Sequence, residues 1–91
     1  MEWVLITYDV DKSHDTEMKN ELKDKGYRDN LKCGDTKIIL PNTTLCKNRI
    51  NCNIGLNDMK TIADKIHAIL ERAIAVEFNK CKGISGKPYS S

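Results

Sequence analysis

The chain predicts an α+β domain whose elements follow the order β-α-β-β-α-β. Three observations carry that prediction. Its first ten residues, Met-Glu-Trp-Val-Leu-Ile-Thr-Tyr-Asp-Val, form an apolar run rich in β-branched and aromatic residues. That composition suits a strand buried on both faces. Further on, Met59, Ile62, Ala63, Ile66, Ile69, Leu70 and Ala73 recur at helical spacing, the mark of an amphipathic helix. Strand-forming residues then return in Ala73-Ile74-Ala75-Val76-Glu77-Phe78.

The intervening elements follow from local chemistry. Asp11, Ser13 and Asp15 supply N-cap oxygens, so a helix is expected over 16–25 with Met18 and Leu22 on its apolar face. Glu21 and Lys25 form a favourable i,i+4 pair, and Gly26 stops the helix because it reaches the left-handed region cheaply. Residues 27–33 and 36–40 read as short strands around a Gly34-Asp35 turn. Pro41-Asn42 interrupts the second strand, with Thr43, Thr44 and Leu45 resuming it beyond a bulge. The Asn-rich stretch 47–55 reads as a polar loop. Asn57 or Asp58 then caps a helix running to Arg72, about 24 Å long. Residues 1–82 form the domain, and 83–91, rich in Gly, Ser and Pro, are a tail or an intersubunit strand. Two right-handed crossovers place both helices on one face of an antiparallel sheet, a ferredoxin-like βαββαβ sandwich. A second copy is the simplest cover for the other face, so a homodimer is expected.

Size and charge narrow the classes. Ninety-one residues with 31% charged and 40% hydrophobic side chains suit one small globular domain. Fifteen Lys and Arg against thirteen Asp and Glu leave a net charge of +2, which neither demands nor excludes RNA or DNA as a partner. No stretch is long and apolar enough for a membrane span, and Asp9 and Asp11 cut short any signal-like run. The cytoplasm is the expected compartment, and Cys33, Cys46, Cys52 and Cys81 are expected to be reduced thiols. Their separations of 13, 6 and 29 residues do not fit paired zinc ligands. No Gly-rich phosphate loop, G-x-S-x-G elbow or H-E-x-x-H motif occurs.

An N-terminal apolar strand closing on Tyr8-Asp9, in a domain of this order and length, resembles the small CRISPR-associated endoribonuclease family. The same fold occurs in the virulence-associated protein D toxins. Leu40-Pro41-Asn42-Thr43-Thr44-Leu45 and Glu71-Arg72-Ala73-Ile74-Ala75-Val76-Glu77 look more like a branch of short bacterial proteins near those families. The resemblance implies a metal-dependent endonuclease, with RNA favoured over DNA as its substrate. Asp9 would bind Mg²⁺ or Mn²⁺ near a dimer axis, with Tyr8 flanking the metal. The family's Arg after the aspartate and its Ser-Val-Phe-like hairpin stretch are replaced here by Lys12 and Lys19 and by Asp35-Thr36-Lys37-Ile38-Ile39.

Other residues have both a functional and a structural reading. His14 is placed to approach Asp9 as a general acid or base, or simply to start a helix. His67 is expected on the second helix beside Ile66, packed against the sheet, and Trp3 in the core or a dimer interface rather than as a base-stacking platform. Lys12, Lys37, Lys47 and Arg49 are the candidate nucleic-acid cations, with Lys80, Lys82 and Lys87 able to extend a rim around Lys47 and Arg49. Two function classes therefore stand at this point. One is a metal-dependent nuclease built on Asp9; the other is a non-catalytic homodimeric module that binds nucleic acid or protein.

Overall fold

The computed structural model describes residues 3–85, which fold as two helices and five strands in the order β-α-β-β-β-α-β. β1 (Trp3–Val10) is the central strand of a three-stranded antiparallel sheet. It is flanked by β4 (Thr44–Asn48) and by β5 (Leu70–Phe78). α1 (Asp15–Asp24) follows β1 through a short 3-10 turn, and α2 (Cys52–Ile66) connects β4 to β5. Among the described residues, no helix is long and apolar enough to cross a membrane.

β1 alternates rather than being buried on both faces. Val4, Ile6, Tyr8 and Val10 are buried, whereas Trp3, Leu5 and Thr7 are half-buried and Asp9 is exposed. The buried set packs under both helices, against Met18 and Leu22 of α1 and Met59, Ile62, Ala63 and Ile66 of α2. Both helices thus share one sheet face, as expected. Gly55 allows α2 to sit close, because a Cβ there would lie 3.2 Å from side-chain methyls of Val4 and Ile6. The C-terminal turn of α1 is tied to α2 through Asp58, which is 9% exposed. Its carboxylate accepts from the Tyr27 hydroxyl at 2.8 Å and from Lys25 Nζ at 3.4 Å.

The opposite sheet face has a cover of its own. β2 (Asn30–Cys33) and β3 (Thr36–Ile39) form a two-stranded sheet of their own among the described residues, around a two-residue Gly34-Asp35 turn in which Gly34 has φ 61°. One bridge, Arg28 to Cys46, ties the lead-in of this hairpin to β4. Leu31, Ile38, Leu40 and Cys46 form a second apolar cluster that takes in Trp3, Leu5 and Phe78. The hairpin and the segment after β5 therefore occupy ground that was expected to need a second copy.

Four boundaries differ from expectation, each for a local reason. Thr43 adopts φ 64°, so the chain reverses after Pro41-Asn42 and β4 is a separate strand rather than a continuation beyond a bulge. The supposed loop 47–55 contains the first turn of α2, capped by Asn51, whose side chain accepts from Ile54 N–H at 2.8 Å. The helix ends at Ile66 because His67 takes a left-handed conformation, φ 60°, leaving His67 exposed rather than packed on the sheet. β5 consequently begins at Leu70. Finally, Cys33 and Cys81 are joined in a disulfide, while Cys46 is a buried thiol and Cys52 a half-buried one. This corrects the expectation of four reduced thiols: the fold brings together two cysteines that sequence spacing keeps 48 residues apart.

Candidate nucleic-acid interface

Asp9 lies at the C-terminal end of β1, where the antiparallel register pairs it with Arg72 of β5. The Arg72 guanidinium donates from Nε to Asp9 Oδ2 at 2.7 Å, with both side chains at least half exposed. A surface pair of this kind contributes little stability, but it satisfies part of the carboxylate. A shallow cleft of about 260 Å³, lined by Thr7, Tyr8, Asp9, Arg72, Ala73 and Ile74, opens beside it. Among the described residues no group of three His, Cys, Asp or Glu side chains converges anywhere. One chain thus brings a single, Arg-paired carboxylate to this place, a poor donor set for Mg²⁺ or Mn²⁺.

The other expected catalytic residues point elsewhere. Tyr8 sits on the helix-side face, 3% exposed, so strand alternation separates it from Asp9. Its hydroxyl has no hydrogen-bond partner among the described residues. Burial, with the Asp15 charge second, pushes its pKa up to about 12. His14 contacts Asp11 rather than Asp9, through Nδ1 to Oδ2. Ser13 Oγ donates to the same Asp11 oxygen at 2.7 Å and lies 3.3 Å from the same His14 nitrogen. A nucleophilic triad needs serine and carboxylate on different ring nitrogens, so these three residues shape the turn before α1. Asp11 Oδ1 also accepts from Ile69 N–H at 2.7 Å. That bond foremost, then those from His14 and Ser13, holds the Asp11 carboxyl well below its usual range.

At the far end of the same β1 face the chemistry is different. Trp3 is half-buried and lines two adjoining grooves of about 510 and 450 Å³. Lys32, Lys80 and Lys82 border the first, and Arg28, Lys32 and Lys37 the second. No carboxylate is among the described residues that line either. Lys32 and Lys37 are directly opposed in the β2–β3 register, and both are exposed. Like charges so placed cost stability in the free protein. The burial alternation explains the placement: Leu31 and Ile38 turn into the second core, so their neighbours turn out.

Of the four cations expected to contact nucleic acid, only Lys37 reaches this place. Lys47 is half-buried, with Nζ donating to the Lys25 carbonyl at 2.6 Å and lying 5.4 Å from the Tyr27 ring centre. Lys12 belongs to the exposed turn before α1, and Arg49 follows β4 with φ 65°. Lys80 and Lys82 join Lys32 and Lys37 instead of Lys47 and Arg49, while Lys87 lies outside the described residues. Arg28 and Lys32 were missed by sequence reasoning. The one signal for them was alternation of charge with Leu31 and Ile38 across the hairpin. Compared with family models, curated proteins and solved structures, the chain has no match.

Proposed function

We propose that this domain is a non-catalytic module that binds single-stranded nucleic acid, RNA foremost, in the Trp3 grooves. The observation that carries the reading is a half-buried indole among five cations, with no carboxylate among the described residues of the lining. Single strands bind where aromatic rings offer a stacking face and Lys or Arg track the phosphates. The arrangement is ferredoxin-like, with β3 inserted and the β2–β3 hairpin folded over the sheet. A homodimer is part of this reading, supported by β5 being an edge strand of the sheet among the described residues and by its exposed Ile74 and Val76. The cytoplasm is the proposed compartment, where thiol exchange keeps disulfides transient.

The test is fluorescence anisotropy with a labelled oligouridylate, accompanied by quenching of Trp3 emission. Five phosphate contacts predict a salt slope of about −3.5. Trp3→Ala should weaken binding by about 5- to 150-fold, the range for one stacked base. Lys32→Gln with Lys37→Gln should flatten the slope by about 1.4. Equal binding by wild type and Trp3→Ala would sink the reading.

The nuclease implied by the resemblance is the second reading, favoured by Asp9 being half exposed on the same sheet face as Trp3. Because one chain's donors fit a divalent ion poorly, that reading requires a second carboxylate from a partner copy. Cleavage of labelled RNA and duplex DNA with Mg²⁺, Mn²⁺ or EDTA decides it. Metal-dependent cutting that disappears in Asp9→Asn would establish the nuclease, and its absence with a binding-competent protein leaves the module.

A further inference from the structure

Residues 79–85 leave the sheet and turn back across the hairpin without forming regular structure. Asn79, Lys80, Lys82, Gly83 and Ser85 are exposed, and Ile84 is 86% exposed. Such a segment buries too little apolar surface to hold itself in place. Its attachments are modest: Ile39 N–H donates to the Ser85 carbonyl at 3.3 Å, and Gly83 packs closely on Ile38. The covalent tie is Cys33–Cys81, from the end of β2 to the middle of the segment. Cys81 lies between Lys80 and Lys82, the two cations the segment brings to the Trp3 groove. Both cysteines are half-buried and line a shallow apolar groove of about 230 Å³, so the bond lies at the surface.

From this placement we infer that Cys33–Cys81 is a redox latch that completes the nucleic-acid groove when oxidised and takes Lys80 and Lys82 away when reduced. The inference rests on the binding reading above and adds its control. A dithiol reductant opens the latch by thiol–disulfide exchange. One of its thiolates attacks a bridge sulfur, the Cys33–Cys81 bond breaks, and a mixed disulfide forms. The second reductant thiolate then displaces the remaining protein sulfur. Cys33 and Cys81 each end as a thiol carrying one proton, and the reductant, having given two electrons, ends as a disulfide. Among the described residues, the segment is then held without a covalent tie, by the contacts at Ile38 and Ile39 and by the packing of Cys81 on the second apolar cluster. Cys46 takes no part, because burial pushes its thiol pKa up to about 11 and it is fully enclosed in the second core.

Losing two phosphate contacts at 0.1 M salt predicts weakening by about 25-fold and a salt slope lower by about 1.4. The experiment measures oligouridylate anisotropy on the whole chain, oxidised and in dithiothreitol. Thiol counting confirms two free thiols before reduction and four after, and circular dichroism confirms that the fold persists. Lys80→Gln with Lys82→Gln is measured oxidised, as a mimic of the open latch that leaves the bond intact. In parallel, trypsin cleavage after Lys80 and Lys82 reads release of the segment without nucleic acid. Weaker binding and faster cleavage on reduction, with the double lysine variant insensitive to reduction, is the expected result. Equal binding in both redox states by a protein with the thiols verified overturns the latch and leaves the binding reading standing. No binding in either state, with cleavage accelerated on reduction, upholds the release of the segment and overturns the nucleic-acid reading instead. Cleavage unchanged by reduction overturns the latch whatever the binding shows.

Discussion

Replacing both Cys33 and Cys81 by serine removes the covalent closure of a span of 48 residues that contains β3, β4, α2 and β5. Little native contact goes with it, since the segment around Cys81 is largely exposed. The main effect is therefore on the unfolded chain, which gains the freedom that the closed loop denied it. For a loop of this length the chain-entropy relation gives about 14 cal/mol/K, or about 4 kcal/mol at 25 °C. A domain of this size is stable by about 5–14 kcal/mol, so the variant should remain folded but lose a large share of its margin. In urea, read by far-ultraviolet circular dichroism, the midpoint should fall by about 1–4 M. The oxidised wild type in the same buffer is the reference, and the wild type with dithiothreitol should match the variant. A midpoint drop under about 0.5 M would refute the reasoning, because it would mean the unfolded chain is not constrained by the bond.

Four further outcomes follow from the core and the caps. Tyr8→Phe should raise stability by about 1–2 kcal/mol in urea unfolding, because it deletes a buried hydroxyl that has no partner among the described residues; a loss of that size would show a partner and reopen Tyr8 as a functional group. Tyr27→Phe should cost about 1–3 kcal/mol by depriving the buried Asp58 carboxylate of the shorter of its two side-chain hydrogen bonds. The folded pKa of Tyr27 is raised above its ordinary value of 10.0, by burial first and then by the bond and charge of Asp58. Its contribution is thus present below pH 10 and lost as pH rises further, so wild type should weaken in alkali more steeply than Tyr27→Phe, as urea midpoints at neutral and alkaline pH would show. His67→Gly should stabilise by up to about 1 kcal/mol in thermal melts, since φ 60° is strained for histidine and free for glycine. Gly55→Val should destabilise by about 2 kcal/mol or more, because a branched side chain would be driven into the Val4 and Ile6 methyls; unchanged melting would show that α2 can lift off the sheet at little cost.

Much of the helix-side core was legible because it depends on spacing alone. Met18, Leu22, Met59, Ile62, Ala63 and Ile66 were placed on apolar faces by periodicity, and all are buried. The ends of α2 were not legible, for opposite reasons. At its start Gly55 argues against helix by propensity, yet close packing on β1 requires it there. At its end a histidine, not a glycine, takes the left-handed position, so the apolar spacing ran on through Ile69, which is 66% exposed. The separate β4 was hidden because Thr43, a β-branched residue, adopts positive φ. Asp9 was found at the strand end, but its pairing with Arg72 depends on a register no local pattern reveals. The groove around Trp3 joins β1, the hairpin and the segment after β5, and spacing within one element cannot report that. The disulfide stayed hidden for the same reason.

Because β1 carries one hydrophobic core on each of its faces, the molecule has two places to store cohesion and they need not fail together. The helix-side core holds the fully enclosed Val4, Ile6, Met18, Leu22, Leu45 and Met59, whereas the hairpin meets the sheet through a smaller cluster and one isolated bridge, with Cys33–Cys81 tethering it to the segment after β5. Backbone amides of β2 and β3 should therefore trade protons with solvent well before those of β1 and β4, through an opening that lifts the hairpin and leaves the helices seated. The protein would then spend a small part of its time as a bare three-stranded sheet backed by two helices, with Leu5, Leu31, Ile38 and Phe78 briefly wet.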